Sequence, residues 1–242
     1  MNRFARAGGI VTIALIVAVS TGCAGSAQHH TTSRATPTSA PTTAPISPGT
    51  HPRQTPFVPA LLTKVGLGLR AGPVSVPLLL EIPKLGINAS MLGVGITSSN
   101  SMDAPEGPSD DPVWQQGFWY RGSAIPGARS TALIAGHIDG GRGGAAVFGH
   151  LDRLQPGDAV VVHDTRTGLD VRFAVTASKS YSLAQAATPA VLKQIYGAGP
   201  VAGKWAQPSA DGIAHLTLIT CSGTFRNGTH DHRLVVYANR VA

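Results

Sequence analysis

From residue 76 onward the sequence is cut into short apolar or alternating runs, at 78–82, 91–96, 116–120, 132–137, 159–163, 171–176, 213–221 and 233–241. Runs of this length read as strands, because successive side chains of an extended backbone point to opposite faces. Pro83, Gly86, Pro105, Pro108, Pro126 and Gly127 punctuate the connections, and residues 140–144 form a glycine-rich stretch just after His137. Only Pro189–Tyr196, with Val191, Leu192 and Ile195 at helical spacing, predicts a helix. About eight short strands with little helix imply a closed or nearly closed β-barrel, an arrangement that leaves no sheet edge unpaired. The chain has no internal repeat and no glycine-rich phosphate loop ahead of a helix.

The chain divides into three parts. With 242 residues, 43% of them hydrophobic, it supports one sizeable core. Residues 1–28 open with Arg3 and Arg6, continue through an apolar run at 10–19 and end in Ser20, Thr21 and Gly22 before Cys23, the pattern of an export signal. No charge interrupts residues 7–28, so an uncleaved membrane helix is the other reading. Residues 29–75 are dominated from Thr31 to Pro59 by Thr, Ser and Pro; they predict a disordered tether, since such a segment buries too little to offset its ordering entropy. Residues 76–242 are the expected folded domain.

Charge excludes one function class once it is located. The formal net charge is +7, yet residues 1–80 carry six basic residues and no acid, leaving 13 Lys and Arg against 12 Asp and Glu in the remainder. A nearly neutral globular part without a basic stripe argues against nucleic acid, and the basic leading segment suits an anionic membrane or wall.

Of the two cysteines, Cys23 lies in the leader, so the expected domain holds one thiol, Cys221, and no disulfide. A lone thiol in an exported domain is either a small buried hydrophobe or a nucleophile. The run from His215 to Cys221 followed by Ser222 and Gly223 places the sulfur at the end of a strand, which gives a nucleophile rigid support and open approach. Among nine histidines, His29, His30 and His51 fall in the tether; His137 ends a strand run, and His230 and His232 flank Asp231 in a polar loop. Antiparallel pairing of 213–221 with 233–241 would set Arg233 beside the thiol, where a guanidinium can hold a developing oxyanion. Taken singly, each of these residues also fits ordinary strand-end polarity.

Together, Thr217-Leu218-Ile219-Thr220-Cys221 and the downstream Arg233 in His-Arg-Leu-Val-Val-Tyr-Ala resemble the signature of sortases. Ile82-Pro83-Lys84-Leu85-Gly86-Ile87, Trp119-Tyr120, Pro126-Gly127, Ala135-Gly136-His137-Ile138-Asp139, Val147-Phe148 and Leu154-Gln155-Pro156-Gly157-Asp158 follow in the family's order, from about Pro77 to Ala242. The likeness is to the actinobacterial group called class F. It implies a mainly β fold, an eight-stranded sortase-type barrel with one or two short helices. It also implies Cys221 as nucleophile, His137 as its acid–base partner, Arg233 on the oxyanion side and Thr220 positioning the scissile threonine. The implied activity is that of a cysteine transpeptidase, with peptide hydrolysis as its side reaction. Surface proteins bearing a Leu-Pro-X-Thr-Gly-like sorting signal are cut after threonine, and the acyl group passes through a thioester to an amine of a cell-wall precursor. No cofactor is implied, and no acidic cluster supports the calcium used by some class A members.

Ser20-Thr21-Gly22-Cys23 resembles a bacterial lipobox with serine in place of the usual aliphatic residue. Cys23 is thus either a lipid attachment site or the outer end of a transmembrane anchor, and both place the domain at the extracellular face of the cell membrane. Asp139 invites a triad reading that the resemblance does not make essential. Two rivals differ in class: a non-catalytic surface lipoprotein that binds cell-wall material, and a zinc site of Cys221, His230 and His232, which lacks a compact four-ligand spacing.

Overall fold

The computed structural model describes residues 68–98, 101–200 and 205–241. The leader with Cys23 and most of the expected tether lie outside the described residues. Eight strands form a closed barrel: β1 (Val74–Ile82), β2 (Ile87–Val94), β3 (Gly117–Tyr120), β4 (Thr131–Ala135), β5 (Ala159–Asp164), β6 (Leu169–Ser182), β7 (His215–Arg226) and β8 (Thr229–Arg240). Their order around the barrel is β1-β2-β3-β4-β7-β8-β6-β5. All neighbours are antiparallel except β2 with β3 and β4 with β7. Two helices cross the outside among the described residues, α1 (Leu183–Ala186) and α2 (Pro189–Tyr196). No helix among the described residues is long and apolar enough to cross a membrane.

Each strand expected from the sequence is present, and so is the helix at Pro189–Tyr196. That helix starts where it does because the Thr188 side chain accepts a hydrogen bond from Val191 N and Pro189 occupies the first turn, where a missing N–H costs nothing. Several extents differ from expectation: β2 starts four residues earlier, β6 runs on to Ser182 and β8 begins at Thr229, and two more differences concern β1 and β7. β1 begins at Val74, ahead of the expected boundary at 76, and β7 runs to Arg226, five residues past Cys221. The second extension follows from the turn: Asn227 and Gly228 both take positive φ (51° and 79°), which matches the twist of a tight hairpin. The segment 226–231, read from sequence as a loop, is therefore mostly paired strand.

The interior is filled by Leu80, Ile82, Met91, Phe148, Phe173, Leu216 and Leu218, with their neighbours. A second apolar layer lies outside the sheet, where Leu192, Ile195 and Tyr196 of α2 cover Leu133 of β4, Ile219 of β7 and Val235 of β8. β4 and the first half of β7 are thus buried on both faces, which fits the run from Ala132 to Ala135 and the buried Leu216, Thr217, Leu218, Ile219 and Thr220. Where the barrel closes, His163 of β5 bridges Glu81 of β1 (2.6 Å) and Asp170 of β6.

The start of the domain is stapled by one buried cation. Arg121, just past β3, donates to the carbonyls of Gly72 (2.8 Å), Gly93 (3.0 Å) and Ala71, and reaches Gly68 (3.5 Å). Three of its four partners precede β1. A chain beginning at Val74 should therefore be less stable than one beginning at Gly68, by about 1–3 kcal/mol for the abandoned donors and so about 2–12 °C in Tm. Arg121→Leu should recover part of the loss in the shorter chain, where its charge lacks partners. Equal melting of the two chains would refute the staple.

Candidate active site

The site lies where β7 outlasts its neighbour. β4 pairs in parallel with β7 from Thr131 and His215 to Ala135 and Ile219, and the last link is Gly136 N to Ile219 O at 3.2 Å. Two residues later comes Cys221, which keeps β8 on one side and has lost β4 on the other. Sequence reading placed the sulfur at the end of its strand; the strand continues, and it is the adjacent strand that stops. The thiol gains rigid support and a free flank from the same geometry.

His137 is held by the departing end of β4. A Cβ at Gly136 would lie 2.6 Å from side-chain atoms of Val147 and Phe148, so only glycine lets this turn pack. Phe148 N donates to the His137 carbonyl at 2.9 Å, and the Thr220 hydroxyl donates to the Gly136 carbonyl at 2.8 Å. Thr220 thus ties the His137 turn to the residue beside Cys221, its hydroxyl proton taken up by the Gly136 carbonyl. The His137 ring lies against Trp114 (4.8 Å between centroids, 51°) and edge-on to Phe118 (5.2 Å, 77°). Its Nε2 donates to the Pro105 carbonyl at 2.9 Å, a partner that only accepts.

Arg233 stands directly opposite Cys221 in the β7–β8 register, as the antiparallel reading expects. Only 3% of the residue is exposed. Nη1 donates to the carbonyls of His232 (2.8 Å) and His230 (3.1 Å), while Nε and Nη2 are buried with no hydrogen-bond partner among the described residues. Leaving charged donors unmet in a buried site costs stability, so a ligand oxygen is the natural complement of that fork.

Met102, Ala104, Phe118, Gly136, His137, Tyr196, Thr220, Cys221 and Arg233 line one cavity of about 40 Å³. It has room for a few water molecules. Burial pushes the Cys221 thiol above its ordinary value; the Arg233 charge pulls it down, and the Asp139 and Glu106 carboxylates add to the rise. At rest the sulfur is therefore mainly protonated at neutral pH. Burial also raises the Tyr196 phenol far above its usual range, so it faces the cavity as a neutral group.

Beyond the cavity, His230 Nε2 bonds Asp139 Oδ2 at 3.0 Å, and Phe225 stacks edge-on against the His230 ring at 5.1 Å. His232 is drawn instead to Asp231 (2.7 Å). Among the described residues no group of three or more His, Cys, Asp or Glu side chains could hold a metal ion, and Cys221, His230 and His232 form no such group. Sequence reading missed Trp114, Phe118, Met102 and Tyr196. The one available signal was Asp111-Pro112, whose cap and fixed φ set the 3-10 turn that presents Trp114.

A model of the sortase domain matches residues 80–241. Among solved structures, the chain resembles sortase A from Corynebacterium diphtheriae at 19% identity and TM-score 0.46, covering 72% of this chain and 63% of that one. It also resembles sortase C-1 from Actinomyces oris at 17% identity and TM-score 0.45, covering 70% and 76%. A third likeness is the pilus-related sortase C of Group B Streptococcus, at 16% identity and TM-score 0.45, covering 69% and 68%. The chain thus spans less than two thirds of the Corynebacterium diphtheriae protein. No curated protein matches it. With the domain model covering two thirds of its length, the chain belongs to the sortase family.

Proposed function

We propose that the protein is a cysteine transpeptidase that cuts a Leu-Pro-X-Thr-Gly-like sorting signal after threonine and passes the acyl group to an amine of a cell-wall precursor. One observation carries this reading: a buried guanidinium with two unmet donors stands opposite the thiol, on the cavity that His137 also lines. In the reactive form Cys221 is a thiolate and His137 an imidazolium. The thiolate attacks the threonine carbonyl, and Arg233 receives the oxyanion with Nε and Nη2. His137, released from Pro105, protonates the leaving amine; the C–N bond breaks and a thioester with neutral His137 remains. An amine then attacks the thioester, water taking its place in the hydrolytic side reaction. Because burial favours the thiol, the reactive pair is a minor population at neutral pH.

The exported, membrane-held location belongs to the same reading, through lipidation at Cys23 or a membrane helix. Cys23→Ala should abolish lipid labelling and release the protein if Cys23 carries the anchor; retention without label would assign anchoring to the helix. Recovery of the wild-type chain from the cytoplasm would overturn export.

Mass spectrometry over a panel of Leu-Pro-X-Thr-Gly peptides tests the reaction. The expected product is an acyl adduct on Cys221, absent from Cys221→Ala, with severe rate loss in His137→Ala. Arg233→Lys keeps the charge and loses the planar fork, so turnover should fall roughly 100–1000-fold with a smaller change in KM. Wild-type turnover in a folded Arg233→Lys chain would remove Arg233 from the chemistry.

The state of the thiol has its own readout. Cys221 alkylation by iodoacetamide should rise with pH around a midpoint above the ordinary thiol value of 9.0, since burial disfavours the thiolate. Arg233→Ala should move that midpoint higher still. A midpoint well below 9.0 would mean that the cation outweighs burial.

A further inference from the structure

Just outside the cavity that Cys221, His137 and Arg233 line stands a carboxylate, Asp139. Asp139 follows His137 by two residues and does not line the cavity. Its side chain is 57% exposed, whereas the His230 side chain that holds Oδ2 is only 11% exposed. His230 is fixed in turn: its carbonyl accepts from Arg233 Nη1 (3.1 Å), its Nδ1 lies 3.4 Å from the Gly223 carbonyl, and Phe225 packs on the ring. One oxygen of Asp139 is thereby held in place, and no protein hydrogen bond takes Oδ1 among the described residues. The carboxylate is close enough to Cys221 for its charge to raise the thiol.

We propose that Asp139, pinned by His230 just outside the cavity, receives the ammonium of the incoming acceptor; this rests on the transpeptidase reading above. With the acyl chain of a Cys221 thioester in the cavity, Asp139 and His230, which do not line it, remain outside to meet the acceptor. An amine in neutral water arrives as a cation, and a half-exposed carboxylate with a free oxygen collects it beside the sulfur without burying a charge. Glu106 also bears on the thiol, but it is exposed, and among the described residues no hydrogen bond or ion pair holds it. The docked ammonium sheds one proton to solvent past the carboxylate and the second to neutral His137 as nitrogen attacks; the C–N bond forms, the C–S bond breaks, and the electron pair leaves on Cys221. Thiolate and imidazolium are restored.

The test compares two acceptors on the full chain with one cleavable peptide: glycinamide, cationic at neutral pH, and hydroxylamine, uncharged there. For Asp139→Asn the KM for glycinamide should rise on the order of 10-fold, the loss of one charge-assisted contact at a half-exposed site, while the KM for hydroxylamine stays near wild type. Asp139→Glu should restore glycinamide transfer, and Glu106→Gln should leave the ratio of the two acceptors unchanged. Added salt should weaken glycinamide capture and spare hydroxylamine in the wild type only. A parallel fall in hydrolysis, hydroxylamine capture and glycinamide transfer would make Asp139 a structural clamp and overturn the proposal. An unchanged glycinamide KM would do the same. Absence of any Cys221 adduct in the wild type would instead remove the transpeptidase reading itself.

Discussion

The parallel pairing of β4 with β7 is the constraint on which the rest of the site depends. Parallel neighbours cannot be joined by a hairpin, so the chain between them must travel, and here it supplies β5, β6, α1 and α2 on the way. Both strands are covered on their inner face by the barrel core and on their outer face by α2. Their register is therefore fixed from two sides, and a one-residue slip would turn every apolar side chain the wrong way. The relative position of His137 and Cys221 is set by that register and locked at its end by the Thr220–Gly136 bond.

Against this rigid frame the site carries unspent polarity. Arg233 is buried with two donors unmet, and Cys221 sits where burial resists ionisation. A protein selected only for stability would fill such a place with apolar side chains of equal volume. Local cost concentrated where two strands part is the expected mark of a place kept for a ligand. The Pro105 carbonyl on His137 fits the same account, since it satisfies the ring with a contact that a substrate can replace.

Much of this was legible in the sequence because it depends on local pattern. Eight runs of strand length gave eight strands, and the proline and threonine at 188–189 fixed the start of α2. Cys221 could be set opposite Arg233 because hairpin pairing is a local rule. What stayed hidden depends on distant approach. Nothing in the spacing of 102–118 says that Met102, Trp114 and Phe118 fold back over His137, or that Asp139 meets a histidine 91 residues away. The end of β7 was misjudged for another reason: Ser222-Gly223 looks like a stop, yet Gly223 only bulges a strand that the Asn227-Gly228 turn carries onward.

The Arg121 staple has a mechanical meaning. Any pull on the chain ahead of Gly68 reaches the barrel first through a fan of hydrogen bonds from one guanidinium, and only then through the β1 ladders. Those bonds work as a strain relief: they share the load among the carbonyls of Gly68, Ala71 and Gly72, and so shield β1, which closes the barrel against β5, from being peeled away. The Cys221 end of β7 lies opposite β1 in the closed strand order, away from the strand that such a pull would reach first.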